Sequence, residues 1–232
     1  MRIVSFIFLL LICSFKSENK IKYELIFPDD YSDAKQFIRT NQDELKNSSF
    51  IYRHGFLFST AIVFPEIMRY SVIKDIIETT ALELVYVNNG TDAADFSIGR
   101  FQMKPSFIES LENEINNDDS LSDLYKNALL SKNLTEKEKR QIRVERLKNN
   151  KWQIFYLHAF IAICDKKFNN QLFKNINEKL VLYSTAYNSG FYNSIEILKK
   201  NSVKKNFPYG SKYEGTQYGY SDISNYYFTN NH

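Results

Sequence analysis

Cysteine is nearly absent from this chain of 232 residues: the two present are Cys13 and Cys164. If a leader carrying Cys13 is removed, Cys164 has no partner. No disulfide framework can then hold the mature chain, and its stability must come from packing. Cys164 sits in the apolar run Phe160-Ile161-Ala162-Ile163-Cys164 and reads as a buried, inert thiol. Histidine is also scarce, with His54, His158 and His232 scattered along the chain. There is no His-Glu-x-x-His pattern and no paired-cysteine spacing, so neither a metal nor another cofactor is expected. His158 lies beside an apolar helical face and reads as a satisfied histidine at the edge of the core. A glycine-rich phosphate loop and a Gly-x-Ser-x-Gly elbow are both missing, which argues against nucleotide chemistry and serine hydrolysis. The net charge is only +3 and no dense basic cluster occurs, so nucleic acid is not an expected partner. Carboxylate chemistry is what these absences leave.

What is present fits a soluble globular class: 44% of residues are hydrophobic and 25% charged, enough for one domain with a sizeable core plus extensions. Aromatics reach 16%, with 16 Tyr and 19 Phe against one Trp, which suits both a core and the face of a sugar. Met1-Arg2 precedes an apolar run from Ile3 to Phe15 and a polar exit from Lys16. Residues 1–17 therefore read as a secretory signal peptide, too short for a comfortable membrane span. The alternatives are an uncleaved anchor, since no small-x-small cleavage site is clean, and a lipid on Cys13, although Ile12 stands where a small residue is wanted. The expectation is a secreted, periplasmic monomer with no stable membrane span after signal removal.

Residues 18–50 read as an N-terminal extension and 51–232 as the main domain. In the extension Ile21, Tyr23 and Leu25 alternate with Lys22 and Glu24, the pattern of a half-buried strand. Pro28-Asp29-Asp30 marks a turn, and a helix is expected somewhere over Asp33 to Leu45. Phe56 to Val63 predicts a helix that Pro65 ends, kinks or restarts, placing Glu66 in a first turn. Ile67 to Val87 reads as one long helix closed by Gly90. A further helix follows Pro105. Asn116 to Ser122 is turn-like, and Thr135 with Glu138 forms a capping box that opens a solvated helix over Glu136 to Asn149. Trp152 to Phe168 predicts the central core helix, and Leu180 to Lys200 gives two helical pieces joined near Ser189-Gly190. The tail, Tyr209 to Phe228, is rich in tyrosine and glycine, and the sequence assigns no role to residues 18–50.

Three pieces recur in a telling order. A carboxylate, Glu66, ends the apolar segment Ala61-Ile62-Val63-Phe64-Pro65. Ser97-Ile98-Gly99-Arg100-Phe101-Gln102-Met103-Lys104-Pro105 carries Gly-x-x-Gln-x-x-Pro. Ala186-Tyr187-Asn188-Ser189-Gly190 carries Ala-Tyr-Asn-x-Gly. From about Phe56 to Phe228 the chain resembles the lysozyme-like domain of lytic transglycosylases and goose-type lysozymes. Gly99, Gln102 and Pro105 match one family motif, with Phe101 where the family has Met and Ser97 as the small polar residue before the glycine. Tyr156-Leu157 resembles the next element, and Ala186, Tyr187, Asn188 and Gly190 match the last. The glutamate departs from the pattern: Glu66 lies 33 residues before Gly99, farther than the family places it, while Glu78 and Glu83 lie 21 and 16 before it. None of the three is followed by the family's serine. Apolar context favours Glu66, and spacing favours the other two.

The resemblance implies a mainly α, lysozyme-like (α+β) fold and a peptidoglycan glycan strand as partner. Glu66 would be the general acid and base, needing a pKa raised by apolar surroundings. Ser97, Gly99, Phe101, Gln102, Tyr187 and Asn188 would form the substrate site, Gln102 offering both donor and acceptor to sugar groups. A lytic transglycosylase closes a 1,6-anhydro ring with one glutamate. A goose-type muramidase would instead hydrolyse the bond, with Asp92 or Asp95 as a candidate second carboxylate, although Asp95 reads more simply as a loop cap. A catalytically inactive scaffold that binds glycan or an envelope partner is the third possibility.

Overall fold

Helix α4 (Phe56–Tyr70) is buried at every position from Phe58 to Met68. A helix that is apolar on all sides belongs inside a protein, and neighbours surround this one: α2 (Pro28–Thr40), α3 (Gln42–Ile51), α10 (Ile176–Ser189) and α12 (Tyr220–Asn230). The computed structural model describes residues 21–70, 76–210 and 214–231. The signal-peptide segment 1–17 and part of the expected helix after Ile67 lie outside the described residues.

Among the described residues the chain is mostly helical, with one short antiparallel pair, β1 (Lys205–Phe207) and β2 (Tyr218–Gly219). The mainly α expectation holds. A second buried helix, α9 (Asn150–Lys167), packs on α3, α6 (Pro105–Asn116), α7 (Asp119–Tyr125) and α8 (Glu136–Lys148), as its apolar sequence predicted. Between α4 and α6 runs α5 (Ile76–Asn89), closed by Gly90 at φ +87°. The capping box at Thr135 and Glu138 forms as expected. The join after α10 falls at Gly190 and leads to α11 (Ile195–Ser202).

Several expectations about individual segments need correction. Ile21 to Leu25 is not a strand, because Tyr23–Ile26 forms a short helix, α1, that buries Tyr23. Pro28 opens α2 at its first position, where a missing N–H costs nothing, instead of marking a turn. Helices α1 to α3, within the segment read as an extension, carry Tyr23, Tyr31, Ala34, Phe37, Ile38 and Leu45 into the same hydrophobic cluster as α4 and α9. Asn116 to Ser122 is helical from Asp119, with Asp118 as the N-cap accepting from the Leu121 N–H.

Pro65 neither ends nor restarts α4. It removes the donor that would close on the Ala61 carbonyl, but packing on all sides outweighs the loss of one hydrogen bond. The neighbouring Ile62 carbonyl accepts the Tyr220 hydroxyl at 3.0 Å, so the tail helix α12 helps to satisfy the backbone beside the proline. Tyr227, farther along α12, stacks on Phe64 with ring centroids 3.9 Å apart. Glu66 therefore sits well inside a buried helix and not in a first turn.

Helix α8 is mostly solvent-facing, as its charges suggested, with Arg143, Val144 and Leu147 turned inward. Arg143 is buried and closes on Glu112 at 2.7 Å and on Glu109 at 3.1 Å, tying α8 to α6. His158 is not satisfied: its Nδ1 meets His54 Nδ1 at 3.0 Å, while its buried Nε2 has no partner.

Candidate functional site

Glu66 is 3% exposed and faces a cavity of about 260 Å³. Ser97, Gln102, Tyr187 and Asn188 line the same cavity, together with Arg69, Asp95, Phe107 and Tyr192. Residues separated by more than a hundred positions in sequence thus converge on one carboxylate. Of the two other candidate acids, Glu83 is held by Lys148 at 2.5 Å and lies outside this lining. The side chain of Glu78 lies outside the described residues.

The turn at Gly99 is built by backbone and by one buried amide. Ile98 and Met103 pair as a β-bridge, with N···O distances of 2.9 and 3.2 Å, and the Gln102 N–H closes on the Gly99 carbonyl at 3.0 Å. Gly99 has φ +70°, and a Cβ there would come within 1.8 Å of Gln153 Nε2 and 2.6 Å of the Leu147 carbonyl. Glycine is needed both for the backbone angle and for that approach. Gln153 sits on α9 with 1% exposure. Its Oε1 accepts the Phe101 N–H at 2.7 Å, and its Nε2 donates to the Leu147 carbonyl at 2.5 Å. Gln102 itself adopts φ +48°, and its side-chain amide donates to the Gly99 carbonyl at 2.9 Å while the residue borders the cavity.

Gly99 and Phe101 do not line the cavity. The Phe101 ring is buried and meets Phe37 of α2 edge to face, so its contribution is to the frame of the turn. The Phe101 carbonyl accepts the Tyr187 hydroxyl at 2.7 Å. Tyr187, on α10, is wedged among Phe107 and Phe160. Its hydroxyl and the Gln153 amide thus hold the two backbone polar groups of Phe101. Asn188, next in sequence, is exposed at the cavity rim.

The electrostatics centre on Glu66. Burial pushes its carboxyl above the ordinary carboxylate range, and Arg69 pulls it part of the way back. Arg69 lies one turn along α4, with Nε 3.0 Å and Nη2 2.5 Å from Glu66 Oε2. Tyr220 and Lys104 pull in the same direction as Arg69. Burial also holds the Tyr187 and Tyr220 phenols well above their usual value, with Glu66 adding to both shifts. Both therefore stay neutral donors. Asp95 is committed elsewhere: Oδ1 accepts the Ser106 N–H at 3.1 Å, and Oδ2 accepts the Ser106 hydroxyl at 2.9 Å with Lys104 at 3.5 Å. It caps the N-terminus of α6, the loop-capping role its sequence position suggested.

Sequence reasoning missed Arg69, Gln153, Tyr192 and Tyr220. A glutamine between Trp152 and Ile154 in an apolar helix was a usable signal, since a buried amide must have partners. Gly190, at φ +97°, allows the Tyr192 ring to lie where a Cβ would meet it at 2.5 Å. Tyr192 is 67% exposed and presents an aromatic face at the cavity mouth. Among the described residues no group of three or more His, Cys, Asp or Glu is arranged to hold a metal ion, and no helix is long and apolar enough to cross a membrane.

Comparisons with protein-family models, with curated proteins and with solved structures found no match.

Proposed function

We propose that the chain is a peptidoglycan lytic transglycosylase with a lysozyme-like helical fold, exported to the periplasm by residues 1–17. The observation that carries this reading is Glu66: a buried carboxyl with raised proton affinity, opening on a polar cavity that also receives Ser97, Gln102, Tyr187 and Asn188. A general acid for glycosidic cleavage must be protonated near neutral pH, and apolar burial is how a protein arranges that. Glu66 donates its proton to the glycosidic oxygen as the bond between that oxygen and C1 breaks. The resulting carboxylate then takes the proton of the C6 hydroxyl on the same sugar as that oxygen attacks C1. The product is a 1,6-anhydro ring, no water is consumed, and Glu66 ends as it began. Among the described residues lining the cavity the second carboxylate is Asp95, which Ser106 and Lys104 engage, and this favours the route over hydrolysis.

One observation favours the inactive-scaffold reading: Arg69 holds Glu66 in an ion pair. The test is mass analysis of sugars released from purified peptidoglycan by the wild type and by Glu66→Gln. Anhydro products from the wild type alone support the transglycosylase. Products one water heavier move the reading to the muramidase, and glycan binding without any cleavage moves it to the scaffold.

A further inference from the structure

A second cavity, of about 290 Å³, adjoins the first and shares Arg69, Asn188 and Ser189 with it. Its other polar lining comes from Thr185, Asn201, Ser202, Lys204, Asn206 and Ser221, with Tyr220, whose hydroxyl is spent on the Ile62 carbonyl. The hydroxyl donors here are already used. Thr185 donates to the Val181 carbonyl at 2.7 Å, Ser189 to Thr185 at 2.8 Å, Ser202 to Lys199 at 2.8 Å and Ser221 to Ser202 at 2.9 Å. The donors left to a ligand are the Lys204 ammonium, the amides of Asn188, Asn201 and Asn206, and the outer edge of Arg69. Arg69 Nη1 has only a long contact, 3.5 Å, to the Pro208 carbonyl. Among the described residues lining this cavity there is no carboxylate. A pocket rich in N–H donors, with cationic character and no acid of its own, is complementary to an anion with several acceptor oxygens.

We propose that this second cavity binds a carboxylate on a peptide branch of the same glycan substrate, through Lys204, Asn201 and Asn206, with Arg69 at the junction of the two cavities. The proposal rests on the glycan-cleaving reading of the first cavity. A substrate held at both places would span Arg69, with its sugar backbone at Glu66 and its anionic branch on the far side of the guanidinium.

The test is equilibrium binding of a soluble muramyl peptide with free carboxylates, and of the same compound with its carboxylates amidated, to the wild type and to Lys204→Gln/Asn206→Ala. Charge-assisted hydrogen bonds are worth about 1.5–3 kcal/mol, so the wild type is expected to prefer the acid form by roughly tenfold or more. The variant, which keeps Asn201 and Arg69, is expected to lose most of that preference. A wild type that does not distinguish them, or a variant that keeps the full preference, overturns the proposal. Lys204 is exposed and Asn206 half-buried, so loss of folding is not expected to confuse the result. Because binding is read without cleavage, its failure is separable from failure of the transglycosylase reading, which the anhydro-sugar analysis tests alone.

Discussion

The Tyr187 hydroxyl donates to the Phe101 carbonyl at 2.7 Å, joining α10 to the Gly99 turn. The two motifs that suggested a shared function are thus in direct contact. Tyr187→Phe removes the donor and leaves a buried carbonyl unpaired. The expected cost is about 1–3 kcal/mol, read as a lower urea midpoint at unchanged slope.

Gln153 braces the same turn from α9. Gln153→Leu strands both the Phe101 N–H and the Leu147 carbonyl, so it should destabilise at least as much as Tyr187→Phe. Gly99→Ala is expected to be worse than an ordinary glycine replacement, because the new Cβ meets both the Gln153 amide and the Leu147 backbone. Thermal unfolding of Gly99→Ala and Gly99→Ala/Gln153→Ala checks this. Truncating Gln153 relieves only one of the two clashes, so the double variant should not recover wild-type stability.

The pH dependence follows from the direction of the Glu66 shift. As a general acid it works protonated, so sugar release should fall as pH rises through its folded pKa, above the ordinary carboxylate range. Because the folded value is raised, the associated stability is fully present below the unfolded carboxylate pKa and is lost as pH rises through the folded one. Arg69 opposes the shift, so Arg69→Met should move the alkaline limb of the rate profile upward. A limb that moves down, or does not move, would remove Arg69 from control of this acid.

His158 has the opposite sign. Burial, with His54 beside it, lowers its pKa to about 3. The unfolded imidazole binds a proton near pH 6.5, so its contribution is present above that value and lost as pH falls towards about 3. His54 is lowered too, chiefly by burial, with Asp165 opposing the shift and Lys179 adding to it. Denaturant unfolding across this window should show stability falling with acid, with a shallower slope in His158→Phe.

Arg143 tests the buried charges between α6 and α8. Arg143→Met leaves Glu112 buried without its partner, and breaking such a pair costs about 3–5 kcal/mol. Arg143→Met/Glu112→Met should recover much of that loss. A double variant as unstable as the single one would show that packing, and not the unpaired charge, sets the cost.

Much of the helical framework was legible from residue order. The apolar density of Phe56 to Met68 and of Trp152 to Phe168 marked the two buried helices, and Thr135 with Glu138 and Gly90 marked boundaries, because periodicity and capping are local properties of the chain. The motif residues Glu66, Ser97, Gln102, Tyr187 and Asn188 could be named in advance, but their meeting around one cavity could not. Only tertiary structure decided that Pro65 stays inside α4, since the packing that holds it comes from α2, α10 and α12. It also decided that α1 to α3 belong to the common core, that Asp95 is spent as a cap, and that Glu66 faces Arg69 and Tyr220. These outcomes depend on burial and on partners distant in sequence, and hydrogen-bond satisfaction and desolvation are set by the assembled fold.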